Sequence, residues 1–283
     1  MKLERVACCL CHSAEADPWA SESQYTMVKC RQCGLVYLNP RPAADEIDEA
    51  ARTGMHKFGE QALNVVGRYS RNKVRIYAER LREIIPASDL EGPDISWLDV
   101  GAGYGEMVSA VQAVTPGRTR VLGIEPCEPK VARAKALGIP VTMTPLSQVR
   151  GPFTHVSLIN VFSHLPDPVE FLRELGNLLG PQGKLILVTG NGGDVSRDEF
   201  PGSLYLPDHL LFGGEENVNT ALALAGYDLI ACKRYPDVPS FDGEIITKLK
   251  NLVRRVQGRA PVPTTLPPGS RFRSLWLCAK RRN

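Results

Sequence analysis

Short apolar runs alternate with amphipathic stretches from residue 64 to the end of the chain. Val65, Val66, Tyr69, Val74, Tyr77, Leu81 and Ile84 fall at helical spacing and stop at Pro86, predicting a helix over 64–85. The run Ile95 to Val100 predicts a strand, and Met107, Val108, Val111 and Val114 share one face of the helix that follows. The same pattern predicts a strand at Arg120–Ile124, a helix over 128–137, and strands at Val141–Met143 and His155–Ile159. A helix from Pro168 to Leu179 places Phe171, Leu172, Leu175 and Leu178 on one face, and Gly183–Thr189 follows as a strand. Tyr227–Tyr235 and Arg271–Lys280 complete the series as two last strands. Regular alternation of this kind implies an α/β fold, a mostly parallel sheet covered on both faces.

Two stretches break the rhythm. Residues 43–62 lack apolar periodicity and predict a flexible connection or lid. Ile245, Ile246, Leu249, Leu252, Val253 and Val256 fit one helical face, with Lys248, Lys250, Arg254 and Arg255 around it and a proline-rich link (Ala260 to Gly269) behind. So short a stripe favours a helix that caps the core over one lying on an anionic membrane surface.

The first predicted strand breaks into glycines at 101, 103 and 105, and a helix starts at once. A turn of this kind brings bare backbone N–H groups up to a ligand. Glu125, at the end of the second strand, can accept both hydroxyls of a ribose, so the pair reads as an adenosine site at the carboxyl ends of parallel strands. The dinucleotide fingerprint would need a third glycine at 106, where the chain has Glu106. A carboxylate there disfavours a pyrophosphate and tolerates a cationic, zwitterionic ligand better.

Near the start, Cys8 and Cys11, then eighteen residues, then Cys30 and Cys33 form two C-x2-C pairs with the spacing of a four-sulfur zinc site. A closed four-thiolate shell leaves no position for substrate, so the metal reads as structural. Gly34, just after the second pair, suits a turn with positive φ. Cys9 falls outside both pairs, and Cys127, Cys232 and Cys278 read as core thiols.

Charge is unevenly distributed. Residues 245–283 carry ten Lys or Arg and no acidic residue, whereas residues 1–244 hold the other 24 basic and all 31 acidic groups, a net of −7. A basic tail on an acidic body suggests an anionic partner or simply a solvated face. No apolar run approaches the ~18 residues of a membrane span, and the opening residues hold too short an apolar stretch for a secretory leader. The expected compartment is the cytoplasm, with peripheral membrane contact left open.

The glycine turn resembles that of the class I S-adenosylmethionine-dependent methyltransferases, whose motif reads D-x-G-x-G-x-G with an acidic residue ending the second strand. Asp99, Gly101, Gly103, Gly105 and Glu125 match it, and Tyr104, Pro126 and Asn160 complete the candidate cofactor-binding set. The two cysteine knuckles followed by Leu-Val-Tyr-Leu-Asn-Pro-Arg-Pro42 are similar to one subgroup, whose members tailor sugars, glycans and natural products. The resemblance implies a Rossmann-like methyltransferase sheet with one antiparallel strand. It divides the chain into a zinc-binding module (1–42), a linker or lid with a leading helix (43–92), and a cofactor-binding domain (93–283) with a basic helical insert at about 243–269.

Two stretches supply candidate acid–base groups. Asn160-Val-Phe-Ser-His164 resembles the family's "n-v-l-E-H", and His164 reads there as architectural. Tyr205-Leu-Pro-Asp-His209 resembles the "Y-x-E-H" of zinc-bearing sugar C-methyltransferases, with Asp208 and His209 in register and Tyr205 one residue too far. The resemblance therefore implies His209 as base, held by Asp208. The leading expectation is O-methylation of a sugar, glycan or secondary metabolite. The alternatives are C-methylation of a sugar nucleotide and an RNA methyltransferase holding nucleic acid by its zinc module and basic tail. The knuckles carry few basic residues and no basic–aromatic stripe, which counts against RNA.

Overall fold

The computed structural model describes residues 2–58, 61–92, 94–115, 117, 119–236, 244–256 and 265–282. The chain opens with β1 (Leu3–Glu4), a hairpin of β2 (Ala16–Glu22) and β3 (Tyr25–Cys30), then β4 (Val36–Leu38) and β5 (Arg41–Pro42). Next come α1 (Ala44–Thr53), a second hairpin of β6 (Met55–Phe58) and β7 (Gln61–Asn64), α2 (Arg71–Ile84) and the single turn α3 (Ala87–Leu90). Strands and helices then alternate: β8 (Ser96–Val100), α4 (Glu106–Val114), β9 (Arg120–Ile124), α5 (Glu128–Ala136), β10 (Val141–Thr142) and β11 (Phe153–Ile159). They continue through α6 (Pro168–Gly176), β12 (Leu179–Gly190), β13 (Leu211–Phe212), α7 (Glu215–Leu224), β14 (Tyr227–Tyr235), α8 (Glu244–Val256) and β15 (Ser274–Arg281).

The main sheet has the order β10–β9–β8–β11–β12–β15–β14. Its first five strands are parallel, and β15 runs antiparallel to both neighbours. Successive strand residues face opposite sides. Leu98 and Val100 therefore join a core cluster with Leu172 and Leu175 of α6 and Val218 and Leu222 of α7. Trp97 joins the opposite cluster, with Tyr77 and Leu81 of α2 and Val108 and Val111 of α4. This is the three-layer α/β architecture that the alternating pattern implied, with the Rossmann-like order and single antiparallel strand that the resemblance implied.

The predicted elements of the sheet are all present, with boundary differences that have local causes. The helix expected over 64–85 begins only at Arg71, because the Ser70 hydroxyl accepts the Lys73 N–H at 3.3 Å and caps it there. Val65, Val66 and Tyr69 share its spacing and precede it. Residues 43–62, expected to be a flexible connection or lid, contain α1 and most of a hairpin. α1 packs through only two apolar residues, the buried Ala50 and Ile47 against the Tyr25–Phe212 cluster, and its ends are held by polar groups. Asp45 and Glu46 sit at its positive end and Arg52 at its negative end, and Gly54 closes it in the left-handed conformation.

The N-terminal strands are not a detached unit. The second sheet has the order β13–β4–β3–β2, so its outer strand, β13, comes from the far side of the sequence. Cys8, Leu10, Leu35 and Tyr37 share the core cluster of the α6–α7 face. Tyr25, Met27, Val36 and Leu38 pack instead on Phe200, Leu204, Leu206, Leu210 and Phe212 of the loop after β12. Lys29 donates to the Gly193 carbonyl at 3.0 Å, and the Asn217 amide donates to the Cys33 carbonyl at 2.7 Å.

The later part of the insert's apolar stripe faces away from the core, and the side chains of Ile245 and Ile246 lie outside what is described. Leu249, Leu252, Val253 and Val256 of α8 are exposed, whereas Thr247 is buried. Residue 243 and the link's first residues, 260–264, lie outside the described residues. Among the described residues, no helix is long and apolar enough to cross a membrane.

Candidate cofactor and acceptor sites

The glycine turn lies at the carboxyl end of β8, with φ of +70° at Gly101, +56° at Gly103 and +85° at Gly105. A Cβ at Gly101 would collide with Val161, and one at Gly105 would sit 2.5 Å from Ile139 Cγ2. At Gly103 the nearest neighbour is Glu106 Oε2 at 4.0 Å, so the centre of the turn is an open cradle. Glu125 reaches back across it: one carboxylate oxygen accepts the Gly103 N–H at 2.8 Å, the other the Cys127 N–H at 3.1 Å. A carboxylate offers about four lone-pair positions. Two remain for a diol, which suits a ribose.

Three carboxylates converge on this turn, and they decide what it can hold. Asp99 is buried on β8, where the Ser157 hydroxyl donates to it at 2.5 Å. Burial, reinforced by the negative charges of Glu106 and Glu125, pushes its carboxyl up to about 7. Burial also raises Glu106, which accepts the Ser70 N–H at 3.1 Å. A cation relieves this repulsion and a pyrophosphate worsens it. The donor set therefore fits the sulfonium and ammonium of S-adenosylmethionine. Tyr104 is buried beside the cradle, while Pro126 and Asn160 are exposed at its rim. Asn160 holds φ of +55°.

The expected linker or lid is tied to this turn by specific contacts. Tyr69 donates to Ser109 Oγ at 3.3 Å, Ser70 is tied to Glu106, and a Cβ at Gly54 would sit 3.1 Å from Cys127 Sγ. Gly54, Tyr69 and Ser70 thus touch the turn from its helix to the end of β9.

Val161, which packs on Gly101, leads into a short 3₁₀ turn, Phe162–His164. The loop after β12 docks on that turn, with the Leu210 N–H on the Ser163 carbonyl at 2.8 Å and His164 Nδ1 on the Asp208 carbonyl at 2.8 Å. His164 and His209 come together with ring centroids 4.8 Å apart, and Tyr205 lies edge-on to His209 at 6.2 Å. The hydrogen bond expected from Asp208 to His209 is replaced. His209 Nδ1 is held by the Leu204 carbonyl at 2.7 Å, while the Asp208 carboxylate takes His56 Nε2 at 2.9 Å and lies 3.5 Å from His164 Nδ1. The reason is the tight loop, in which both the Asp208 and the His209 N–H turn back to the Tyr205 carbonyl. His56, on β6, had no sequence signal: a lone histidine in an unpatterned stretch.

Electrostatics separate the three groups. Burial works against Asp208, but the charge and hydrogen bond of His164 and the bond from His56 hold its carboxyl far below the usual range. Burial opposes the charging of His164 too, yet Asp208 wins and raises it. Burial, then the charge of His164, brings His209 down to about 4. The two histidines are thus shifted in opposite directions: Asp208 favours the protonated form of His164, while His209 stays uncharged near neutral pH. With Nδ1–H donated to a carbonyl, the lone pair of His209 is on Nε2.

The four cysteine sulfurs also meet. Cys8 and Cys33 Sγ are 3.5 Å apart, Cys11 and Cys30 3.4 Å, and all four atoms lie within 4.8 Å of one another. A tetrahedral ion with bonds of about 2.3 Å requires edges of about 3.8 Å. The knuckles match each other: His12 and Gly34, each just after the second cysteine of its pair, have φ of +60° and +74°.

Fold and cradle together define an enzyme that binds a nucleoside-linked sulfonium at the carboxyl edge of a seven-stranded sheet. Residues 69–231, more than half of the chain, match the family model of a methyltransferase domain, and the chain belongs to that family. The protein is a methyltransferase, and the cradle of Gly103 and Glu125 fits S-adenosylmethionine as its donor. Among curated proteins none matches the sequence. Solved structures that resemble it include a cyclopropane synthase of Mycobacterium tuberculosis (15% identity, 84% of this chain and 94% of that one, TM-score 0.51). The cyclase SpnF is similar as well (16%, 74% and 80%, TM-score 0.51). So is an N-methyltransferase of Burkholderia thailandensis that acts on 1,6-didemethyltoxoflavin (18%, 95% and 100%, TM-score 0.49). At these identities the likeness is one of fold.

Replacing Glu125 by alanine is expected to weaken donor binding by about 1.5–3 kcal/mol, since hydrogen bonds to a charged acceptor are lost. Calorimetric titration with S-adenosylmethionine measures this directly. An unchanged affinity would remove Glu125 from the cofactor site.

Proposed function

We propose that the protein methylates a hydroxyl of a sugar, glycan or related secondary metabolite, with His209 as general base. One observation carries the reading: an imidazole with Nδ1 bound to a carbonyl, and so Nε2 as its accepting nitrogen, stands beside the His164–Asp208 pair on the loop docked against the cofactor turn. S-adenosylmethionine supplies an electrophilic methyl group. The chain's own task is alignment and proton removal. Glu125 and the backbone at 101–105 orient the donor. Tyr205 and Phe212, edge-on to His209 at 6.2 and 5.3 Å, shield the base. His209 Nε2 then takes the hydroxyl proton while His164, held by Asp208, fixes the loop.

The proposal includes one structural zinc on Cys8, Cys11, Cys30 and Cys33, and a cytoplasmic enzyme divided at about residues 42 and 92. The closed thiol shell and the matched knuckles support the metal. The acceptor is identified by incubating the protein with methyl-labelled donor and a cell extract, then fractionating the label. Label in a glycan or small-metabolite fraction supports the proposal, and label in RNA or protein refutes it.

A further inference from the structure

The segment between β14 and β15 carries a surface that catalysis leaves unused. In α8, Leu249, Leu252, Val253 and Val256 recur at helical spacing and are 62, 62, 55 and 85% exposed. At 100° per residue these four side chains fall within about 100° of one another. Lys248 and Arg255 lie along one border of this stripe, Lys250 and Arg254 along the other. Thr247, on the far side of the helix, is 1% exposed. The helix therefore rests on the protein by its polar side and presents a basic-rimmed apolar stripe outward. That is the reverse of an ordinary surface helix.

Its attachment points matter as much. Ser274 pairs with Tyr235 on β14 and with Gly190 at the carboxyl end of β12. The insert leaves the sheet at the edge that also carries the Gly101 turn, Glu125 and Asn160.

We infer that α8 is a docking helix for an anionic membrane surface, with its leucines and valines among the acyl chains and its Lys and Arg at the headgroups. Charge selects this occupant. Two copies joined through the stripe would set basic rim against basic rim, because the residues that border it are Lys248, Lys250, Arg254 and Arg255. Nucleic acid would satisfy the rim and leave the stripe in water. An anionic lipid interface satisfies both. Docking there would turn the active-site edge toward the membrane.

The full-length protein is sedimented with vesicles of phosphatidylcholine alone, or of phosphatidylcholine with about one third phosphatidylglycerol. Binding is expected to the anionic vesicles, at least about 10-fold stronger than to the neutral ones, and falling as salt rises. A Leu252→Glu, Val256→Glu variant should lose it, with melting temperature and donor affinity unchanged because both side chains are solvent-exposed. Lys248→Glu, Arg255→Glu should lose the preference for anionic lipid. No pelleting at low salt would overturn the inference, as would pelleting that the apolar variant leaves intact. A dimer that the apolar variant abolishes, without vesicle binding, would make the stripe an interface between copies instead.

Discussion

A Cys30→Ser, Cys33→Ser variant is expected to lose its zinc and its turnover while the donor still binds. Structural zinc contributes on the order of 10 kcal/mol to small four-ligand modules. Here part of the module's stability also comes from packing, since Cys8, Leu10, Leu35 and Tyr37 are built into the main core. The damage should be directional. Cys30 ends β3, β3 pairs with β4, and β4 pairs with β13, whose first residue is two positions after His209. Losing the metal loosens that ladder and the 204–212 loop on it, whereas Gly101 and Glu125 sit on the parallel strands and keep their support. Elemental analysis should give one zinc per chain for the native protein and far less for the variant. Calorimetry should give similar donor affinity, and turnover should fall in step with metal content. Full occupancy in the variant would refute the ligand set. Full turnover without metal would refute the structural role.

Elements whose apolar residues face the main core could be read from the sequence, because burial imposes period 2 or 3.6 on them. β8, α4, β9, β11 and α6 are apolar runs or stripes of this kind, and the glycine turn with Glu125 rests on chemistry that few residue types can supply. The paired cysteines were legible for the same reason. α1 was not, because only Ile47 and Ala50 face the core, too few to set a period, and end charges and a glycine cap support the rest. β13 escaped because two residues carry no period, and its partner β4 lies some 170 residues earlier. The histidine cluster divides in the same way. His164 and His209 stand in motifs, while His56 reaches Asp208 only through the hairpin's placement. The stripe of α8 was visible, but its direction was not: period shows that a face exists and leaves open which side meets the protein.

His209→Ala is expected to lower turnover about 10²-fold or more, with donor affinity nearly unchanged. Positioned bases contribute about 10²–10⁴-fold, and efficiency falls as the base weakens. Burial and the charge of His164 bring His209 down to about 4, which places the effect toward the lower part of that range. The same shift sets the pH dependence. A base works in its unprotonated form, so the rate should hold as pH falls through 6.5 and drop only as it passes about 4. Asp208 raises His164 while burial lowers His209, so His164 holds its proton the more tightly of the two. His164→Ala should act differently. It removes the positive charge that depresses His209 and the contact of His164 Nδ1 with the Asp208 carbonyl, so the acid limb should move upward and the loop should loosen. Single-turnover rates across pH, with donor saturating, separate the two variants. If His209→Ala turns over normally, or the native acid limb lies near 6.5, the base is another group. If His164→Ala leaves the limb in place, the ion pair does not control His209. The geometry supports the opposite outcome: Asp208 holds the charge of His164, and that charge keeps His209 ready to receive a proton.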